Sequence, residues 1–189
     1  MKKTLLSLIL LAAIHLAGMA QTAKSSASEA FNSGDNLLNV GIGLGSPFFG
    51  SGYSSSIPVN PTVTYEKGVT DAISVGGTVS YASSKYDFSG FGSAYSFTEN
   101  AVYVGVRGSY HFAKALQLSN KFDLYGGASA GYVIVSVSDN QGDVGSAASA
   151  VGYGLFAGGK YYFAPKIGIY AEVGYESLSY LNVGLAFKF

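Results

Sequence analysis

From residue 37 to the C-terminus, apolar side chains recur at every second position through eight separate segments. They are 37–44 (LLNVGIGL), 57–66 (IPVNPTVTYE), 72–82 (AISVGGTVSYA), 101–112 (AVYVGVRGSYHF), 121–135 (KFDLYGGASAGYVIV), 151–163 (VGYGLFAGGKYYF), 167–176 (IGIYAEVGYE) and 180–189 (YLNVGLAFKF). Clusters of Gly, Ser, Pro, Asn or Asp lie between them, the punctuation of strands joined by turns. Successive side chains of a strand point to opposite faces, so each parity is one wall of a sheet. One wall is almost wholly apolar: Leu38, Val40, Ile42 and Leu44 in the first segment, Val102, Val104, Val106, Tyr110 and Phe112 in the fourth, Ile167, Ile169, Val173 and Tyr175 in the seventh. The charged side chains inside the segments, Glu66, Arg107, Lys121, Asp123, Lys160, Glu172, Glu176 and Lys188, all take the other parity. The chain therefore reads as all-β and antiparallel.

Composition decides which wall faces inward. Charged residues make up 12% of the chain, against ~25% in an ordinary soluble domain. A soluble barrel would place its polar wall in water and stud it with Lys and Glu. Here that wall is mainly small: Asn39, Gly41, Thr62, Thr64, Ser74, Thr78, Gly127 and Ser129 among others. Small side chains suit the crowded interior of a narrow barrel, which leaves the apolar wall facing lipid. Met1-Lys2-Lys3, the apolar run Leu5–Ile14 and the small residues Gly18-Met19-Ala20 read as a secretory signal peptide over 1–20. Residues 21–36 read as a Ser/Ala-rich periplasmic leader without periodicity, and 37–189 as one barrel domain. The rest of the chain has no second long apolar run, so membrane insertion has to use strands.

Connection lengths orient the barrel. Long stretches at 45–56, 83–100 and 136–150 are expected as extracellular loops, and shorter ones at 67–71, 113–120 and 164–166 as periplasmic turns, with 177–179 a short fourth external loop. Apolar-wall aromatics then fall into two girdles. Tyr65, Tyr110, Phe112, Phe122, Tyr161, Phe163, Phe187 and Phe189 lie at the periplasmic ends, and Tyr81, Tyr132, Tyr153 and Tyr175 at the outer ends.

The last segment ends at Phe189, with Phe187, Leu185, Val183 and Leu181 at alternate positions before it. This resembles the C-terminal signal by which outer-membrane barrels are recognised by their insertion machinery. With the signal peptide and the eight-strand pattern, the chain resembles the small eight-stranded outer-membrane β-barrel proteins such as OmpX, OmpW and the OmpA barrel, over residues 37–189. The stretch DLYGGASAGY at 123–132 also looks familiar from that family. The resemblance implies a closed up-and-down transmembrane barrel in a Gram-negative outer membrane. Its implied partners are lipid and the insertion machinery, and catalysis is usually absent.

Several function classes fall away. Without cysteine there is no disulfide, thiolate metal site or thiol nucleophile, and a neutral chain offers nucleic acid no electrostatic footprint. Barrel enzymes acting on lipid acyl chains are the main rival class. Beyond the signal peptide only His111 is available as a base, and it reads as a polar lumen residue with no triad around it. No cofactor or metal is expected. The lumen charges Glu66, Arg107, Asp123, Lys160 and Glu172 are expected to cross the barrel, with Arg107 paired to Glu172 or Glu66. Such a network is either a permanent polar core or a gate. Aromatics among Gly and Ser at Phe48, Phe49, Tyr53, Tyr86, Phe88, Phe91, Tyr95 and Phe97 have the composition of binding loops, or of a mobile rim, and would meet an extracellular ligand or surface partner. The expected function is a non-enzymatic structural or surface-interaction barrel with a plugged lumen. The alternative is a narrow porin-like channel for small or hydrophobic solutes.

Overall fold

The computed structural model of the protein describes residues 30–46, 59–90, 93–139, 144–176 and 178–189. It contains β1 (Asn36–Leu44), β2 (Val59–Gly68), β3 (Ile73–Gly90), β4 (Ser93–His111), β5 (Phe122–Asp139), β6 (Val144–Ala164), β7 (Ile167–Glu176) and β8 (Ser179–Lys188). Each strand pairs antiparallel with the next and β1 pairs with β8, so the sheet closes into an up-and-down barrel. The seam runs from Leu37 opposite Lys188 to Leu44 opposite Leu181. Beyond it, Asn36 and Phe189 exchange backbone hydrogen bonds of 2.9 and 3.0 Å.

The two parities separate as the alternation demands. Val75, Val79, Val104, Val106, Leu124, Leu155, Ile169, Val173 and Leu185 are exposed on the outer wall, while Asn39, Thr62, Thr64, Ser74, Thr78, Ser109 and Ser129 are buried in the lumen. This inverts a soluble protein, which hides such aliphatics. Closure leaves no open edge within the spanning part, so its backbone groups pair inside the sheet.

Four strands are longer than the apolar alternation predicts. Residues 83–100, expected as a loop, form a hairpin paired from Ser83–Asn100 to Gly90–Ser93. Residues 136–150 are likewise largely strand, paired to Ser138–Val144 after a register shift between Val135 and Val137. Above Tyr81 and Val102 the outward positions become Ser83, Lys85 and Asn100. The apolar signal thus stops where the strands leave an apolar environment, although backbone pairing continues. Of the expected loop 45–56, residues 47–56 lie outside the described residues, as do the expected signal peptide and residues 21–29 of the leader.

One expectation is corrected, that Lys121 faces the lumen, and two features go beyond the sequence reading. The lumen wall is not uniformly small, because Tyr103, Tyr125, Phe156, Tyr162 and Tyr170 are buried on it. Glycines make room for them. A Cβ at Gly127 would lie 2.6 Å from Phe156 Cζ, and one at Gly158 would lie 2.7 Å from Glu172 Cγ and 3.0 Å from Tyr125 Cζ. Lys121 precedes β5 and is exposed, not lumenal. The end of the leader is not a featureless tether, since Ala30 and Phe31 are buried.

Candidate functional site: the lumen and its two ends

Arg107, inward on β4, lies at mid-lumen. Its Nε is 3.2 Å from Glu66 Oε2 on β2, and one terminal nitrogen is 2.8 Å from Glu172 Oε1 on β7. The other terminal nitrogen lies 3.5 Å from Glu172 Oε2 and 3.4 Å from Glu176 Oε1. Phe156 on β6 covers the guanidinium face, with Cζ 3.8 Å from the ring centroid. A flat, always-charged fork with polar edges and a stackable face suits such a place better than an ammonium would. Glu66 Oε1 also accepts hydrogen bonds from Ser109 at 2.7 Å and Ser74 at 2.9 Å, and Tyr125 donates to Glu172 at 2.8 Å. The carboxylates are thus held by several donors each, the condition under which buried charge is tolerated.

Toward the end where β1 starts and β8 finishes, His111 forms a second cluster. Its Nδ1 is 2.8 Å from Asp123 Oδ1 and its Nε2 is 2.9 Å from Ser74 Oγ. Phe31 stacks on the imidazole with centroids 3.5 Å apart and planes 9° from parallel. The sequence reading leaves His111 without serine or acid in reach, whereas three strands bring Ser74, His111 and Asp123 into a hydrogen-bonded line. The line has triad connectivity without a triad's surroundings. Ser74 is fully buried and lies within the sheet, with Gly68 and Ser109 as ladder neighbours. Its oxygen also contacts Glu66, whose negative charge opposes an oxyanion where catalysis needs donors.

Lys160 is buried opposite Asp123 on one side and Tyr170 on the other. Its Nζ lies 4.8 Å from the Tyr125 ring centroid and makes no hydrogen bond. Toward the hairpin end the lumen turns apolar, where Ala82, Ala101, Tyr103, Val133 and Leu178 pack together. Leu178 belongs to the β7–β8 turn. Asn60 holds its carbonyl, while Ser179, Asn182 and Glu176 form a chain with steps of 2.9 and 2.7 Å. The lumen therefore has an apolar layer, a charged layer and a floor capped by Phe31.

The structure joins Glu66, Arg107 and Glu172 directly, places Asp123 with His111, and leaves Lys160 beside them. The sequence reading of the network leaves out Glu176, Ser74, Ser109, Tyr125 and Phe156, although their inward parity is readable. It also leaves out Phe31 and Leu178, for which no periodicity exists. Leu181, Val183, Leu185 and Phe187 lie on β8, and Phe189 follows it. Among the aromatic loop residues, Tyr86 and Phe88 fall within β3 and Tyr95 and Phe97 within β4, with Tyr86 opposite Phe97 and Phe88 opposite Tyr95. Phe48, Phe49, Tyr53 and Phe91 lie outside the described residues. Among the described residues, no group of three or more His, Asp or Glu could hold a metal ion.

The family described as outer membrane protein beta-barrel domain matches residues 7–189. The chain belongs to this family. Among solved structures, the outer membrane protein OprG of Pseudomonas aeruginosa is 12% identical with a TM-score of 0.51, over 87% of this chain and 99% of that one. Ail, the attachment invasion locus protein of Yersinia pestis, is 17% identical with a TM-score of 0.49, over 83% and 99%. Neisserial surface protein A is 13% identical with a TM-score of 0.47, over 82% and 94%. No curated protein matches. Family membership assigns the barrel to the outer membrane and its aliphatic wall to lipid.

Proposed function

We propose that this outer-membrane barrel is a non-enzymatic surface-interaction protein whose lumen is a closed polar core. The observation that carries the reading is the inequality of the strands. β1, β2, β7 and β8 have 9 or 10 residues, enough for the ~9–11 that cross a bilayer. β3–β6 have 18 to 21. About eight to eleven residues per strand therefore stand beyond the membrane, on the order of 30 Å at ~3.3 Å per residue.

With the long hairpins outside the cell, this sheet has two free edges among the described residues. Within the described residues β2 pairs with β3 only as far as Ser80, and β7 pairs with β6 only from Gly154. The β6 edge Val144–Tyr153 carries no charge and no proline, the devices that usually guard an edge. An unguarded edge accepts a partner's extended strand through main-chain hydrogen bonds. The Arg107 layer lies across the path that a pore would need.

Single-channel recording of the refolded chain in a planar bilayer with potassium chloride separates this reading from the channel alternative. Silence across the voltage range is expected. Stable conducting steps that disappear when the protein is omitted would favour the channel.

A further inference from the structure

Residues 30–35 do not trail away from the barrel but enter it. Phe31 is buried against His111, and Ala30 packs with Tyr162, Tyr170 and Ala186. The segment is fastened from three other places. Lys188 at the end of β8 donates to the Ala30 carbonyl at 3.3 Å and lies 3.8 Å from Asp35. The β2–β3 turn accepts the Ser33 amide on Asp71 at 3.0 Å, and Gly34 and Asp35 exchange backbone bonds with Gly68 at 2.9 and 2.8 Å. The β4–β5 turn supplies Lys114, whose Nζ donates to Asn32 Oδ1 at 3.2 Å.

Gly34 has φ +88°, left-handed backbone that other residues rarely adopt. It lets the chain leave the mouth and start β1. A segment without periodicity thus carries a turn residue, a buried aromatic and matched contacts on three rims. These are the parts of a seated element.

We infer that the mouth at this end of the barrel is a binding seat for an aromatic side chain on a turn-forming peptide segment, filled in cis by Phe31, and that Ala30–Asp35 is a releasable stopper. The seat is the imidazole of His111, oriented on its edges by Asp123 and Ser74, with Tyr125 tilted behind it at 5.6 Å. Release is easier here than within the sheet. It breaks rim contacts, two backbone bonds to Gly68 at the end of β2 and the seat of one ring, while the paired register from Asn36 onward is kept.

Because the chain has no cysteine and no tryptophan, both make clean reporters. Ser109 is inward between Arg107 and His111, so Ser109→Cys reports the space under Phe31. In folded protein, labelling by a small charged thiol reagent should be slow. Adding Phe31→Ala should speed it roughly ten- to a hundredfold, the scale set by losing one buried aromatic. Adding Leu178→Ala should not, because the Arg107 layer lies between. Equal labelling with and without Phe31, or acceleration by Leu178→Ala alone, overturns the stopper.

Phe31→Trp covers the case in which Phe31→Ala does not fold. Its single indole should fluoresce as a buried group resistant to acrylamide. Quenching at the rate of free tryptophan overturns the seat. A conducting lumen in the bilayer recording would overturn the closed-core reading without touching this one, provided that the thiol introduced by Ser109→Cys stays protected.

Discussion

Removing Arg107 leaves Glu66, Glu172 and Glu176 without their common cation in a lumen too narrow for bulk water. Arg107→Ala should lower stability toward urea by ~3–5 kcal/mol, against about 0.5 kcal/mol or less for the exposed Lys85→Ala. Combined with Glu172→Gln it should cost less than the two single changes together, since contacting groups are coupled. Strict additivity with both Glu172→Gln and Glu66→Gln would remove the network as a unit. Two carboxyls outside the strands are pushed in opposite directions. Burial raises the Asp35 pKa against the pull of Lys188, while the Ser33 amide, then Lys114, lower that of Asp71. Asp71 therefore favours the seated segment above its unfolded pKa, and the benefit fades as pH falls through its lowered folded value. Asp35 has the reverse sign. Its charge opposes seating near neutrality, and the penalty lifts as pH falls through its raised folded value. Carboxyl NMR titration should find Asp71 titrating below Asp35; coincident midpoints would mean that the segment is not seated.

At the scale of elements, the hairpins and the barrel are separable. Among the described residues, the layers of the lumen are built from residues below Tyr86 and Phe97, with Ser84 and Val135 above Ala82 and Val133. Shortening β3–β4 by removing 86–97 and closing with a two-residue turn should leave stability toward urea within about 1 kcal/mol, while the β6 edge stays paired to β5. A large fall in stability would instead make the hairpin structural. Where the chain is in contact with lipid, its two-residue period carries the fold openly, as in Val102–Phe112. From Asn100 and Ser83 outward the two-residue apolar period lapses in the sequence, so there the hairpins look like loops. Arg107, as the sole arginine on an inward parity, marks the centre of the lumen. The clustering of Ser74, His111 and Asp123 depends on register across three strands, which a linear reading does not hold. Phe31 owes its position to Gly34 and three rims, contacts scattered over most of the chain.

For the whole molecule, closure is the event that matters. The seam joins residues 153 positions apart at Asn36 and Phe189, and 158 apart at Ala30 and Lys188. Deleting Phe189 should reduce the inserted yield in cells and slow refolding more than it moves the urea midpoint. A midpoint shift with normal yield would assign Phe189 to stability alone. Contacts of such separation form late, because their loop entropy is met before they return anything. Seven strands of this chain still leave β1 and β7 with open edges, and so does every shorter piece. Closure of the barrel therefore requires the complete set of eight strands. Until the last strand arrives, something other than the chain itself has to occupy the first strand's free edge.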